Sequence, residues 1–366
     1  MKILKKYRNI IIIIISVVCL TAGVYARASL SENSSVTGSL NDPVHLAMSD
    51  GLSVKGNHAY VVGGDHLSVI DISDSQAPVM ESYLTDVFGR LNGAFGIFVR
   101  GDYAYVSTGY QAGSDRLTVI DISDPSAPRI ISSVQDHTNL DGALHVYVSG
   151  NYAFVTAPHK NRMSVVDVAD PQSPKVVGSV KDDSKLFAAD GIWVAGNIVY
   201  VISHHMQGPG IDYLNAIDVS DPRNPRIVGS LSSPYFRGGD QMAVQDNYAY
   251  VPGNANNEPT SGHSISVVDV SNKSSMKIVG HISDREIIGS SCYAVVRGKY
   301  LYLTSSDRHR LTIVDVSNPV SPKVAVSIKD EAGLPSPLYV QLAGNYAYVT
   351  NDSVFSVIDV RSALKK

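Results

Sequence analysis

The chain has 366 residues, of which 44% are hydrophobic and 17% charged, a balance that excludes a disordered protein. A net charge of −4 makes the chain a poor candidate for nucleic-acid binding, which needs clustered Lys and Arg. Its two cysteines, Cys19 and Cys292, exclude a disulfide framework once the first lies in a leader, so stability must come from packing.

Residues 1–26 differ from the rest. Lys2, Lys5, Lys6 and Arg8 precede an apolar run over residues 10–20, and Val24-Tyr25-Ala26 follows. A basic start, a short apolar stretch and a V-x-A site read as a secretory signal peptide cleaved after Ala26. The apolar run is shorter than the roughly 20 residues of a spanning helix, so no membrane span is expected after cleavage. Val18 before Cys19 argues against a lipoprotein site, which needs a small residue there. Cleavage removes four positive charges, takes the net charge to −8 and leaves Cys292 as the single cysteine. Residues 27–35, RASLSENSS, read as a flexible leader.

From residue 36 onward one unit recurs. Its clearest copy is LTVIDISDPSAP over residues 117–128, and seven versions place an aspartate at Asp71, Asp121, Asp167, Asp218, Asp269, Asp315 and Asp359. Successive spacings of 50, 46, 51, 51, 46 and 44 residues are those of propeller blades. Each copy reads as four short strands. An apolar stretch ends in V-x-G, as at residues 194–196, and a tight turn such as Gly150-Asn151 follows. Then come a Tyr-Ala-Tyr-Val strand, the L-x-V-[IV]-D-V strand, a D-P-x-x-P turn and a fourth strand such as residues 175–180. The third strand is continuously apolar, as expected where both sheet faces are covered. Lys273-Ser274-Ser275-Met276 replaces the proline pair in the fifth copy, predicting a looser turn.

The seventh copy stops at Val360-Arg361 without a fourth strand, whereas residues 36–40, VTGSL, match residues 227–231, IVGSL. The predicted fold is therefore all-β: a seven-bladed β-propeller of four-stranded antiparallel blades over residues 36–366. Its ring is closed by an N-terminal strand that completes the last blade, leaving no open edge.

LTVID, LTIVD and LSVIDIS followed by DPxxP resemble the LVIVD-repeat family of bacterial and archaeal surface or exported proteins. Tyr348-Val349-Thr350-Asn351 is similar to the related YVTN-type surface propellers. The resemblance covers residues 36–366 and implies a β-propeller; it implies no catalytic residues, since the family is defined by scaffold motifs.

Antiparallel order puts the short uniform turns on one face and the variable loops with the blade-to-blade connectors on the other. The variable face is where binding residues are expected. It carries His159, His204 and His205, with His145 at the start of an inner strand. Histidine suits a metal or general-base role, but no H-x-H or HExxH spacing occurs, so no metal site and no cofactor are assigned. The seven repeated aspartates read as local backbone caps. Asp50, Asp190 and Asp240 precede inner strands near the axis and are candidates for a cation or polar ligand. Phe95, Phe98, Tyr147, Trp193, Tyr293 and Tyr339 form either a platform for sugars or peptides or packing between blades. Cys292 reads as a small buried residue.

There is no G-x-S-x-G elbow, zincin motif or phosphate-binding glycine loop, and a single Trp argues against quinone-dependent propellers. The reading is a monomeric, exported binding module at the cell envelope, whose variable face takes a protein, peptide or glycan. Its ligand contacts would come from Asp190, Asp240, His145, Trp193, Tyr339, His159, His204 and His205, with catalytic residues unknown. The alternative is a metal-assisted hydrolase or lactonase-like enzyme with its site at the channel mouth.

Overall fold

A computed structural model of the chain describes residues 36–109, 115–203, 212–253 and 263–365. The expected signal peptide and leader, together with His204 and His205, lie outside them. Among the described residues no helix is long and apolar enough to cross a membrane.

Twenty-eight strands form seven four-stranded antiparallel sheets in a ring. The first complete blade is β2 (Gly51–Lys55), β3 (His58–Gly63), β4 (His66–Asp71) and β5 (Val79–Thr85). The innermost strands of the next six are β6 (Ala94–Arg100), β10 (Val146–Ser149), β14 (Ala189–Ala195), β18 (Ala243–Gln245), β22 (Ser291–Arg297) and β26 (Pro337–Ala343). The inner hairpins turn on two residues, the first at positive φ: glycine at 56, 101, 150, 196, 298 and 344, and Asp246 in the fifth blade.

The seam closes as the sequence predicts. The last sheet is made, in order, of β1 (Val36–Asn41), β28 (Val354–Asp359), β27 (Tyr346–Asn351) and β26, with β1 antiparallel to β28. The register skips Thr37 between Val36 and Gly38, the same bulge that skips Val177 and Val228 in the fourth strands of complete blades. An added Cβ on Gly38 would lie 2.5 Å from the Ser75 carbonyl in the next blade's turn. Gly178 meets the Pro222 carbonyl in the same way at 2.3 Å. At Ser82 and Ser132 the hydroxyl instead donates to the Pro125 and Pro171 carbonyls, both at 2.6 Å. Six outer strands thus carry glycine or serine where the neighbouring turn arrives; the sixth carries Val326, which faces the last blade, where a short helix, Val360–Ala363, stands in place of that turn.

Burial follows the interfaces. Seven apolar clusters each join two adjacent blades, including the cluster that couples Tyr348 and Phe355 of the last blade to Leu52 and Val61 of the first. Each contains one fully buried residue from the connector entering the blade: Leu46, Leu91, Leu140, Leu186, Phe236, Ile288 or Leu334. Burying such a side chain contributes about 1.5–3 kcal/mol. An oxygen upstream folds the connector so that the apolar residue turns inward. Asp42, Asp136, Asp182, Asp284 and Asp330 each accept from the two amides that follow at two and three residues on. Asp86 accepts from the Arg90 amide, and Ser233 from that of Tyr235. The polar second residue of the L-x-V-[IV]-D motif secures the same connector. Thr118 and Thr312 hydroxyls donate to the Arg90 and Ile287 carbonyls at 2.6 Å, and the Asn215 amide to that of Lys185 at 2.6 Å.

All seven repeated aspartates cap their turns, accepting from the amide two residues on at 2.8–3.0 Å. The Ser123 hydroxyl, the Ser123 amide and Arg129 hold the Asp121 carboxyl down at about 2. This contribution is present above the ordinary carboxylate range and is lost as pH falls toward 2. The fifth turn is not looser than the others. Asn272 accepts from the Ser274 amide at 3.1 Å and its carbonyl from that of Ser275 at 3.1 Å, matching Asp124 at 3.0 and 3.1 Å. The cap, rather than the proline pair, holds it.

Candidate functional site at the axis of the variable face

Four residues before the end of each inner strand stand Gly51, Gly96, His145, Gly191, Gln241, Tyr293 and Tyr339. Three glycines let neighbouring strands close on one another. A Cβ on Gly51 would lie 2.4 Å from the Phe95 carbonyl, on Gly96 2.5 Å from that of Leu144, and on Gly191 2.3 Å from that of Asp240. Four large side chains fill the space so enclosed. Tyr293 and Tyr339 have centroids 4.6 Å apart, and Phe95 lies 5.3 Å edge-on to His145 and 6.4 Å from Tyr339. Along the same strands, Phe98 contacts Tyr147 at 4.6 Å and Tyr147 contacts Trp193 at 5.7 Å. Within each set the rings pack on one another at separations that aromatic quadrupoles favour.

The polar groups of the axis are fixed from several blades. The Gln241 Oε1 accepts from the Ile192 amide at 2.8 Å and the Met242 amide at 3.2 Å, tying the fourth blade to the fifth. Burial pushes the Tyr293 phenol up, and its hydrogen bonds with Gln241 and Gln341 offset part of that. Tyr339 is pushed well above the ordinary tyrosine range, first by burial, then by Tyr293 and by the charges of Asp50, Asp240 and Asp190. Carboxylates from three blades thus add to the effect on one phenol. His145 is only 4% exposed, and its backbone amide donates to Thr156 Oγ1 at 3.2 Å. Its Nε2 stands 3.0 Å from Asp190 Oδ1.

The structure brings His145, Asp190, Asp240 and Tyr339 to one place, whereas Trp193 packs on Tyr147 further along the inner strands. It does not bring His159. That residue is exposed in a short turn, Pro158–Lys160, where its Nδ1 pairs with Asp141 Oδ1 at 3.0 Å beside Lys160 Nζ at 2.7 Å. Among the described residues no three His, Cys, Asp or Glu side chains are grouped to hold a metal ion. Gln241 and Gln341 belong to the axial set, and Asp352 acts on Asp50 from the loop before β28; none of the three is apparent from spacing. Aligning the innermost strands on their closing turns would have found the first two.

Burial holds the Asp50 carboxyl up at about 6, with like-charge repulsion from Asp352 adding to it. A folded chain that keeps a proton the unfolded chain has already released loses stability as pH rises from about 4 through 6. Asp50→Asn removes that loss. Partial solvent screening reduces the effect to a gain of about 1–2 kcal/mol at pH 7 and almost none at pH 4. Denaturant melts at the two pH values measure it, and an equal change at both would contradict the cause given.

The LVIVD repeat pattern matches residues 48–85, 93–136, 142–182, 188–232, 238–284, 288–330 and 339–364. The chain belongs to the LVIVD-repeat family. Each matched segment of this LVIVD-repeat protein falls on one blade. A search of curated proteins finds no match. Among solved structures, the chain is similar to virginiamycin B lyase from Staphylococcus aureus, with a TM-score of 0.62 at 9% identity over 87% of this chain and 98% of that one. It is also similar to the computationally designed Ika8 protein, with a TM-score of 0.59 at 10% identity over 89% and 100%. A functionally unknown protein from Desulfotomaculum acetoxidans gives a TM-score of 0.58 at 11% identity over 82% and 88%. At these identities the likeness is one of fold.

Proposed function

We propose that this LVIVD-repeat protein is an exported binding module that engages a protein or peptide at the cell envelope through its variable face. One observation carries the reading. Val44, Met48, Val87 and Phe88, from the two adjacent connectors that enter the first and second blades, are exposed, the last two at 91% and 80%. Phe187 in the connector entering the fourth blade is exposed too. Those connectors otherwise turn their apolar side chains into the interfaces, so outward apolar residues there have no role in holding the ring. Exposed apolar groups gathered on one loop face suit a partner surface. Arg90 lies over the Phe88 ring at 5.6 Å and is itself held by Asp86 at 2.9 Å. The basic start and V-x-A site of residues 1–26 support export.

A photo-crosslinking residue placed at 88 is expected to yield a discrete adduct with an envelope protein, and the same residue at 57, on the opposite face, none. Adducts from both positions, or from neither, would exclude this surface as the binding face.

A second reading, a hydrolase or lactonase-like enzyme, draws on the buried His145–Asp190 contact beside Tyr339 at the axial mouth. Stoichiometric metal retained through chelator dialysis, with hydrolysis lost in His145→Ala, would favour it over the binding module.

A further inference from the structure

On the face opposite the variable loops, some residues that end inner strands reach the hairpin turn of the next blade. At three junctions a long side chain spans that gap. Lys55 Nζ reaches Asp102 Oδ1 at 3.1 Å between the first and second blades. The Gln245 amide donates to the Gly298 carbonyl at 2.9 Å and accepts from the Gly298 amide at 3.0 Å between the fifth and sixth. Arg297 Nη1 donates to the Gly344 carbonyl at 2.7 Å between the sixth and seventh. The same position is Ala195 between the fourth and fifth blades and Ala343 between the seventh and first, and between the third and fourth it is Ser149, all too short to cross. Between the third and fourth blades the gap stays open as a cavity of about 470 Å³, lined among others by Ser149, Asn151, Tyr152, Asn197, Ser220 and Pro222.

We propose that this cleft between the third and fourth blades is a second ligand site, separate from the variable face, and that it takes a neutral carbohydrate. Its volume lies within the range of small-ligand sites. No lining residue is Asp, Glu, Lys, Arg or His, so neither a cation nor an anion finds a charge partner there. The Asn151 and Asn197 side chains each carry a carbonyl and two N–H groups, and Ser149 and Ser220 add hydroxyls. Among the described residues neither asparagine amide is engaged with protein, and both residues are exposed. Tyr152, half-buried against the core of these two blades, and Phe154 give the cleft an aromatic wall. Amides and hydroxyls beside an aromatic ring match a sugar, which offers hydroxyls around its edge and C–H groups on its face.

The test is saturation-transfer NMR of the whole chain with cellobiose, maltose and diacetylchitobiose. Wild type is compared with Ser149→Arg, which copies Arg297, and with Asn197→Ala. At least one disaccharide is expected to receive saturation from wild type. Ser149→Arg should weaken binding at least ~10-fold by occupying the cleft, and Asn197→Ala about 3–10-fold by removing one hydrogen-bonding side chain. The melting temperature of each variant should stay within about 2 °C of wild type, since Arg already occupies this position in the sixth blade. No transfer to any of the three sugars, or transfer unchanged in both variants, would overturn the proposal.

Discussion

Removal of residues 36–41 is expected to open the ring and to cost more stability than any single substitution. The strand contributes five paired positions to β28, and Leu40 and Val36 pack against the clusters on either side of the last blade. At about 1 kcal/mol per ladder hydrogen bond, the backbone loss alone is on the order of 5 kcal/mol, comparable to the whole stability of many domains. The damage also spreads. Without β1, the β28 edge presents unsatisfied N–H and C=O groups, a template for pairing with another chain. The next blade loses the contact between Gly38 and its Ser75–Gln76 turn. Thermal melts and light scattering after size exclusion measure both effects. The shortened chain should melt at least ~10 °C lower and elute as oligomers. Adding a synthetic peptide with the sequence of residues 36–50 should restore part of each loss. A shortened chain that stays monomeric and melts as wild type would mean that β1 does not close the ring.

Gly229→Ala is the second large effect. Gly229 lies in β17 (Arg226–Ser232), the outer strand of the fourth blade, where an added Cβ would lie 1.6 Å from the Lys273 carbonyl of the next blade's turn. That atom is backbone held by the Asn272 cap, so it cannot rotate away, and the two blades must separate locally. Overpacking of this kind costs about 1–3 kcal/mol, and a rigid backbone partner places this case at or above the top of that range. Gly56→Ala is the control. Gly56 has φ +59 and nothing within 4 Å of an added Cβ. Its loss should be only about 1 kcal/mol, from the left-handed backbone alone. Urea denaturation of both variants decides between them. A Gly56 variant as damaged as the Gly229 variant would remove interblade contact as the cause.

The two glycines also show where reading the chain by itself succeeds. Gly56 stands in a turn between two strands, and local chemistry explains it: the turn needs positive φ, which glycine supplies at no steric cost. The repeat spacing, the four-strand units, the capping aspartates and the missing fourth strand of the last copy are of the same kind. Each follows from periodicity and turn residues within about 50 consecutive positions. The N-terminal match to residues 227–231 extended this to ring closure, because a propeller with one blade short of a strand has only one other source for it.

Gly229, Gly178 and Gly38 could not be explained in that way. Their reason is a carbonyl in a neighbouring blade, more than 35 residues away in sequence. The connector motif hid for a related cause. Asp42 through Leu46 and Asp136 through Leu140 look like ordinary polar loops until the buried leucine is seen to fill an interface. The axis is the clearest instance. Propensity and spacing place Gly96, His145, Gly191 and Tyr339 in strands but do not say which of them face one another across the ring. Ring closure converts seven equivalent positions into one shared volume. Three glycines and four large side chains must then fill it together, and the charges of Asp50, Asp190 and Asp240 act on a single phenol. The sequence alone determined the repeat, the blade and the seam, because those are local or pairwise properties of the chain. Only the tertiary structure decided that the axis is packed with aromatic and amide groups and that a cleft opens on the far face between the third and fourth blades, because both depend on side chains from separate blades meeting in space.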